Sequence, residues 1–433
     1  MDAIIILGAF SLLSIGPLLI WPSRFNIPAI QGLGFLLTGY AIPIFFTDTL
    51  QNFSREVVDL YTWLMVTGAV AYTVGLVLGN VGNLSRFTPF IYRFDAGSYA
   101  EFERDIYRIV RRGVLFGTVG MALCFVGMGF IPAFAADPFL AKFFRGPYQE
   151  PYQRVAILYR ISFIYISFLA PVLLCMVYER RKFFDIALFV AVALLLILSL
   201  VRGQIADGIV FFAGVLIAKK YRSVFWIYLV FLVVIYPLGA SSYLIVASLF
   251  NLKDLGAIYD VSSIFTIIAS GAPDIADHLN FLDKFDLGRD INFGATFVGG
   301  LVPGNFAWNP AIWALKILNP GQDLADMSSG GLRLPVPIWG YVAFGFPGVA
   351  LVSGFSGYLL GLGTKFARMY SKGPLLQIVV VLLFYKVFWG TLSGFYVLSM
   401  YSLPAILIGF YLIYKMKLSI KNASLRFIRR RET

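Results

Sequence analysis

Charge is scarce in this chain. Only 13% of its 433 residues are Asp, Glu, Lys or Arg, while 59% are apolar and mean hydropathy is +0.81; soluble proteins carry roughly a quarter charged residues. Such a chain cannot cover a water-facing surface, and the class that remains is an all-α polytopic membrane protein. Cysteine is nearly absent as well: Cys124 and Cys175 both sit inside apolar runs, which excludes a disulfide framework and a thiolate metal site. Histidine occurs once, as His278. The connections between apolar runs hold no glycine-rich phosphate loop, HExxH or CxxC, which argues against ATP-driven or nucleotide-sugar chemistry. A basic stretch and a small-residue cleavage site are both missing ahead of residues 3–21, so an uncleaved span is expected there rather than a signal peptide.

What the chain does have is long apolar runs. Spanning helices need about 17 to 25 apolar residues, and eleven runs are counted as spans, the seventh and the last of them shorter than that range: 3–21, 27–46, 60–79, 112–132, 157–178, 184–201, 203–218, 223–246, 339–363, 374–394 and 402–415. Lys and Arg then orient them, because positive residues are retained on the cytoplasmic side. Arg24, residues 86–112, residues 180–182, Lys219 to Arg222, Lys365 to Lys372 and the tail from Lys415 to Arg431 together hold 23 of the 35 basic residues. The N-terminus is therefore expected outside and the C-terminal tail inside. Residues 133–156 and 247–338 become outer loops of one integral membrane domain covering 1–433. The net charge of +12 is accounted for by this orientation, and no nucleic-acid partner is expected. The basic connection 80–111 and the tail 415–433 are topology determinants whose aromatics also suit membrane lipid headgroups.

Polar residues on the expected outer side fall into three groups. Residues 142–154 read KFFRGPYQEPYQR; Arg145, Arg154 and the following Arg160 bracket a helix start, where backbone N–H groups favour an anion. A diphosphate would fit, although Arg160 reads equally well as an anchor for the helix end. The second group is the hairpin 200–208, with Arg202 and Asp207. Charges sunk in a membrane mark functional sites by default, and mutual neutralisation of Arg202 and Asp207 is the plainer alternative. Lys386 is a further cation within an apolar run, with no evident partner.

The third group is the long polar segment 251–338. Pro273-Asp274 predicts a helix start, with Ile275, Leu279 and Leu282 on one face; Asn309-Pro310 predicts a second short helix, whose Trp308 and Trp313 suit a headgroup interface. His278 has the proton affinity of a general base, but a lone histidine on an amphipathic helix is more often a surface residue. Asp290, Asp323 and Asp326 lie beside arginines and are alternative bases, or plain loop charges. Arg333 is the strongest anion-binding candidate, since Pro335, Pro337 and Trp339 are expected to hold the next helix start at the outer interface. The glycines 340, 345, 348, 354, 357 and 361 read as helix-packing positions.

Arginines and acids on an outer face suit a donor whose sugar is carried on a lipid diphosphate. The diphosphate is both handle and leaving group, and an acid can act as base on the acceptor hydroxyl. At this point the chain resembles the bacterial O-antigen polymerases, also called oligosaccharide repeat unit polymerases. The resemblance lies in the eleven spans, the arginine-tyrosine loop after the fourth, the large loop after the eighth, and the closing Gly330-Gly331-Leu332-Arg333 followed by Gly340-Tyr341-Val342-Ala343-Phe344-Gly345-Phe346-Pro347-Gly348. It covers most of the chain as architecture. It implies a GT-C-like fold and a metal-independent glycosyltransferase of the inner membrane without a cofactor. The substrate implied is an undecaprenyl-diphosphate-linked oligosaccharide, with a chain-length regulator protein as a further partner. Arg145, Arg154 and Arg160 would match the first functional loop, Arg289 and Arg333 the second; eleven residues separate Arg333 from Gly345. The competing readings are an O-antigen ligase, which usually carries a loop histidine, and a lipid-linked oligosaccharide flippase or transporter. Transporters tend to show repeated halves, and no internal repeat is evident here.

Overall fold

In apolar surroundings every backbone N–H and C=O must be satisfied within its own segment, and the chain responds with helices. A computed structural model describes residues 2–82, 96–200, 202–249, 263–271, 274–301, 306–322, 331–393 and 403–416, with no β-strand among them. The first half runs α1 (Asp2–Ile15), α2 (Pro17–Ile20), α3 (Ile27–Leu36), a π-turn (Leu37–Ala41), α4 (Ile42–Phe46), α5 (Arg55–Val81), α6 (Ala96–Met128), α7 (Pro138–Phe143), α8 (Gln149–Arg180) and α9 (Phe183–Leu198). It continues with α10 (Arg202–Lys220), α11 (Phe225–Leu249), α12 (Ile264–Gly271), α13 (Asp274–Lys284), α14 (Leu287–Asp290), α15 (Ala295–Gly299), α16 (Pro310–Leu318), α17 (Val336–Tyr370) and α18 (Leu375–Ser393). A last apolar helix, α19, covers Leu403–Met416.

Over its described residues each of the eleven apolar runs is mostly helical. Six stretches among the described residues are long and apolar enough to cross a membrane: Ile27–Phe46, Arg55–Val81, Tyr99–Phe134, Gly146–Arg180, Arg222–Gly239 and Val336–Tyr370. The first run falls short because Gly16-Pro17 interrupts it between α1 and α2, proline having no N–H to continue the ladder.

The bundle is built around α5 and α17. Added Cβ atoms at Gly75, Gly79, Gly357 and Gly361 would run into backbone atoms of Gly354, Tyr358, Tyr72 and Leu76 respectively. The two backbones therefore touch directly, as small residues allow in helix pairs. Of the glycines read as packing positions, 357 and 361 touch α5 and 340 and 348 touch each other through backbone atoms, whereas Gly345 does not pack in this way.

One element differs from expectation. Residues 339–363 were read as one span beginning at an interface, but α17 is broken at Phe344 and Gly345, where Gly345 takes φ 66° and ψ −156°, a region open only to glycine. The chain reverses there. Gly340 packs backbone to backbone on Gly348, two positions that a straight helix would hold about 12 Å apart. Pro337 lies on Gly68, thirteen positions beyond Arg55 and so roughly 20 Å along α5. Residues 336–343 and 346–370 form a helical hairpin whose first arm starts inside the bundle. Pro337 and Trp339 are buried accordingly, Trp339 to 1% exposure, and do not sit at an interface.

The ends of the helices where the sequence concentrates Lys and Arg meet one another. Lys365 Nζ donates to Gly82 O at 2.8 Å and Arg368 Nη1 to Ile20 O at 3.3 Å. Arg111 grips the fully buried Asp185 with two hydrogen bonds of 2.6 and 2.7 Å, and Arg180 pairs with Glu103 at 3.1 Å.

Gly75→Val and Gly357→Val are each expected to lower stability by about 1–3 kcal/mol, the usual range for overpacking. Gly8→Ala, which meets nothing within 4 Å, should leave it unchanged. Thermal unfolding of the detergent-purified protein measures this, and three equal midpoints would contradict the close α5–α17 contact.

Candidate functional site

A group of ionisable side chains gathers in the interior where α13 meets α5, the π-turn and the stretch 331–335. The predicted face of α13 is present: Ile275, Leu279 and Leu282 are buried, with Phe281 beside them. This face docks α13 on α5 and α16. Docking carries the polar residues of the first turn inward.

Asp274 is 1% exposed, and neither carboxyl oxygen has a hydrogen-bond partner. Arg333 Nε stands 3.4 Å from its Oδ1, with the Arg333 side chain half exposed. Gly39 in the π-turn makes room for the carboxylate, since a Cβ there would lie 2.8 Å from Asp274 Oδ2. A π-turn inside an α-helix frequently marks a functional position. Tyr40, its neighbour, is also buried.

Asp277 lies three positions along on the same helix, so the two carboxyls share a face. Burial pushes the proton affinity of Asp277 up to about 7; Asp274 adds to the rise and Arg333 opposes it. Burial raises Asp274 as well, again opposed by Arg333. Two carboxyls this close to one arginine cannot both ionise cheaply. One therefore holds a proton near neutral pH, as an acid or base catalyst requires.

His278 completes the group without acting as its base. It is fully buried rather than on the surface. Its Nε2 lies 2.8 Å from the Arg333 carbonyl oxygen, so Nε2 carries the hydrogen and donates it. Nδ1 then accepts from the Tyr61 hydroxyl at 3.1 Å. Burial lowers its pKa to about 3, which keeps the ring neutral and both nitrogens engaged. His278 is the rivet that fixes the backbone of Arg333 to α5. That position is about 30 Å along α5 from Gly82 and the basic end.

The other expected site residues are elsewhere. Arg289 forms a two-pronged pair with its neighbour Asp290, at 2.8 Å on each arm, and this pair holds the Asp290 carboxyl below the usual range. A carboxylate so held is a poor base. The pair sits by the hairpin turn, where Leu287 adjoins Gly345. Arg154 forms an exposed pair with Glu150 at 2.6 Å, an interaction worth little in water. Arg160 Nε donates to the Tyr152 hydroxyl at 3.0 Å, and Tyr152 stacks on Phe144 at 3.8 Å between centroids. Arg145 has its Nε buried with no hydrogen-bond partner, and burial lowers its proton affinity. Asp323 and Asp326 lie outside the described residues, as does the side chain of Arg202.

Asp207 pairs with Lys386 at 2.6 Å, and Lys386 also donates to Gln31 at 3.0 Å. That supplies the partner for Lys386; whether Arg202 also reaches Asp207 falls outside the described side chains. Trp313, read as an interface residue, is 8% exposed and lies 6.2 Å from the Trp339 ring.

Sequence reasoning singled out none of Asp277, Tyr40 and Tyr61, and it took Asp274 only as part of a helix start. The signal was the spacing 274, 277, 278 on an amphipathic helix, which puts two carboxyls and an imidazole on adjoining faces. No family model, curated protein or solved structure matches the chain.

Folded chains keep a proton on Asp277 that unfolded chains release above the ordinary value of 3.8, so stability from this group falls as pH rises from about 4 to about 7. Asp277→Asn stays neutral throughout and should flatten that decline. Denaturation midpoints of both proteins across this pH window measure it; parallel curves would refute the raised proton affinity.

Proposed function

We propose that this chain is a multi-pass glycosyltransferase of the bacterial inner membrane that joins undecaprenyl-diphosphate-linked oligosaccharide repeat units into polysaccharide at the periplasmic face. The observation that carries this reading is a half-exposed Arg333 beside two carboxyls, one with proton affinity near neutrality, about 30 Å along α5 from the basic end of the bundle. Eleven spans with the N-terminus outside would bring this group to the periplasmic half of the membrane, reached through the 247–338 segment.

In this reading Arg333 holds the diphosphate of the donor lipid. The hydroxyl oxygen of the acceptor sugar attacks the anomeric carbon and forms the new glycosidic C–O bond. The bond from that carbon to the diphosphate oxygen breaks, and its electron pair leaves with the undecaprenyl diphosphate, whose growing charge Arg333 stabilises. Asp277, in its ionised form, takes the hydroxyl proton. Asp274 keeps the guanidinium directed and raises the basicity of Asp277. Arg145, Arg154 and Arg160 supply further cations for the second diphosphate.

The neutral, doubly bonded His278 offers no free nitrogen, so it lends nothing to the ligase alternative.

Arg333→Ala and Asp277→Asn are each expected to abolish polymer while protein levels hold. In a strain making long-chain lipopolysaccharide, the gel should then show cores bearing one repeat unit. An unchanged ladder refutes the roles given to these residues; loss of the single repeat too would indicate a flippase or ligase. Activity of the unaltered enzyme should rise with pH through about 7, as Asp277 ionises.

A further inference from the structure

A second polar recess lies at the basic end of the bundle, near the point where Arg368 reaches the Ile20 carbonyl. It is a cavity of about 490 Å³ lined by Pro22, Ser23, Arg24, Phe25, Arg222, Phe225 and Trp226. Two guanidinium groups share this space and no carboxylate lines it. The turn carrying Arg24 is held rigidly, because the buried Asn26 side chain donates to the carbonyls of Pro17 and Trp21 at 3.2 and 3.3 Å. Arg24 stands 5.5 Å over the Phe25 ring, and its Nε is buried with no hydrogen-bond partner. Paired arginines in a fixed turn match phosphate oxygens.

The surroundings identify what carries the phosphate. Trp226 is 75% exposed, and from it Ile227, Val230, Val233 and Val234 form an outward apolar strip along α11. Only 11% of the apolar window in Arg222–Gly239 is buried, the least of the six spanning candidates among the described residues. A phosphate seat with an exposed tryptophan beside it and an apolar strip leading away is the outline of a lipid, headgroup above and acyl chains below.

We propose that the recess formed by Arg24 and Arg222 binds the phosphate of an anionic glycerophospholipid, with its acyl chains lying on the exposed face of α11. The occupant is a bilayer lipid of the phosphatidylglycerol type. Basic recesses between membrane helices are suited to such headgroups. Bound there, the lipid joins the α2–α3 turn to α11 and shields the two cations that line the recess.

Full-length protein purified in detergent and titrated with phosphatidylglycerol, and separately with phosphatidylcholine of the same chains, tests this by native mass spectrometry. The anionic lipid should remain bound and the zwitterionic one should not. R24Q combined with R222Q should weaken binding roughly thirtyfold, taking each arginine at its usual worth beside an anionic surface. R181Q combined with K182Q removes equal charge from the same end and should change nothing. R24K combined with R222K, which keeps charge and bulk, should retain much of the binding and guards against loss through misfolding. Equal lipid retention by the R24Q and R222Q protein, or equal binding of phosphatidylcholine, would overturn the proposal. Displacement of the lipid by glycerol 3-phosphate at equal concentration would overturn it in favour of a soluble anion.

Discussion

Backbone contact between α5 and residues 346–370 is the constraint on which the rest of the bundle depends. Glycines on both helices remove the side chains that would hold them apart. In a membrane, where lipid tails solvate apolar groups as well as a neighbouring helix does, such close approach is the main source of helix association. Once these two helices are joined, Gly345 determines what precedes them. Its left-handed backbone turns residues 336–343 back against the long arm, so the preceding stretch 331–335 must enter from within the bundle.

That entry explains the polar group. Arg333 arrives beside α5 because the hairpin brings it there, and α13 arrives because Ile275, Leu279 and Leu282 need covering. The two meet at His278, which bonds the Arg333 carbonyl on one side and Tyr61 on the other. Burial then does the electrostatic work. Removing Asp274 and Asp277 from water raises both carboxyls, and one half-exposed guanidinium is too little to offset two charges. A cation and a neutral-pH carboxyl side by side can bind an anionic leaving group and accept a proton, which is the combination a lipid-diphosphate donor calls for.

The pairs away from this group illustrate the opposite outcome. Arg154 with Glu150 neutralises a residue one helical turn away in an exposed position, where water already serves both charges, and Arg289 pairs with its immediate neighbour Asp290. Asp207 with Lys386 joins residues 179 positions apart within the bundle, a separation no local pattern announces.

Helix positions, capping at Asn309 and the apolar face of α13 were legible in the sequence because each depends on contacts within a few residues: length, periodicity and the first-turn N–H groups. The prominence of Arg333 was legible for the same reason, standing just before a proline-marked helix start. The hairpin was not, because an apolar run looks the same whether straight or folded, and only φ at Gly345 distinguishes them. Nor were the partners of Asp274, Asp277, Lys386 and His278. By itself the sequence determined a helical, membrane-suited chain with its polar chemistry gathered in one segment, since hydropathy and spacing are local quantities. The raising of both carboxyls, the engagement of both histidine nitrogens and the arginine that stands beside them were decided by tertiary structure alone, because burial and charge proximity exist only after distant helices have packed.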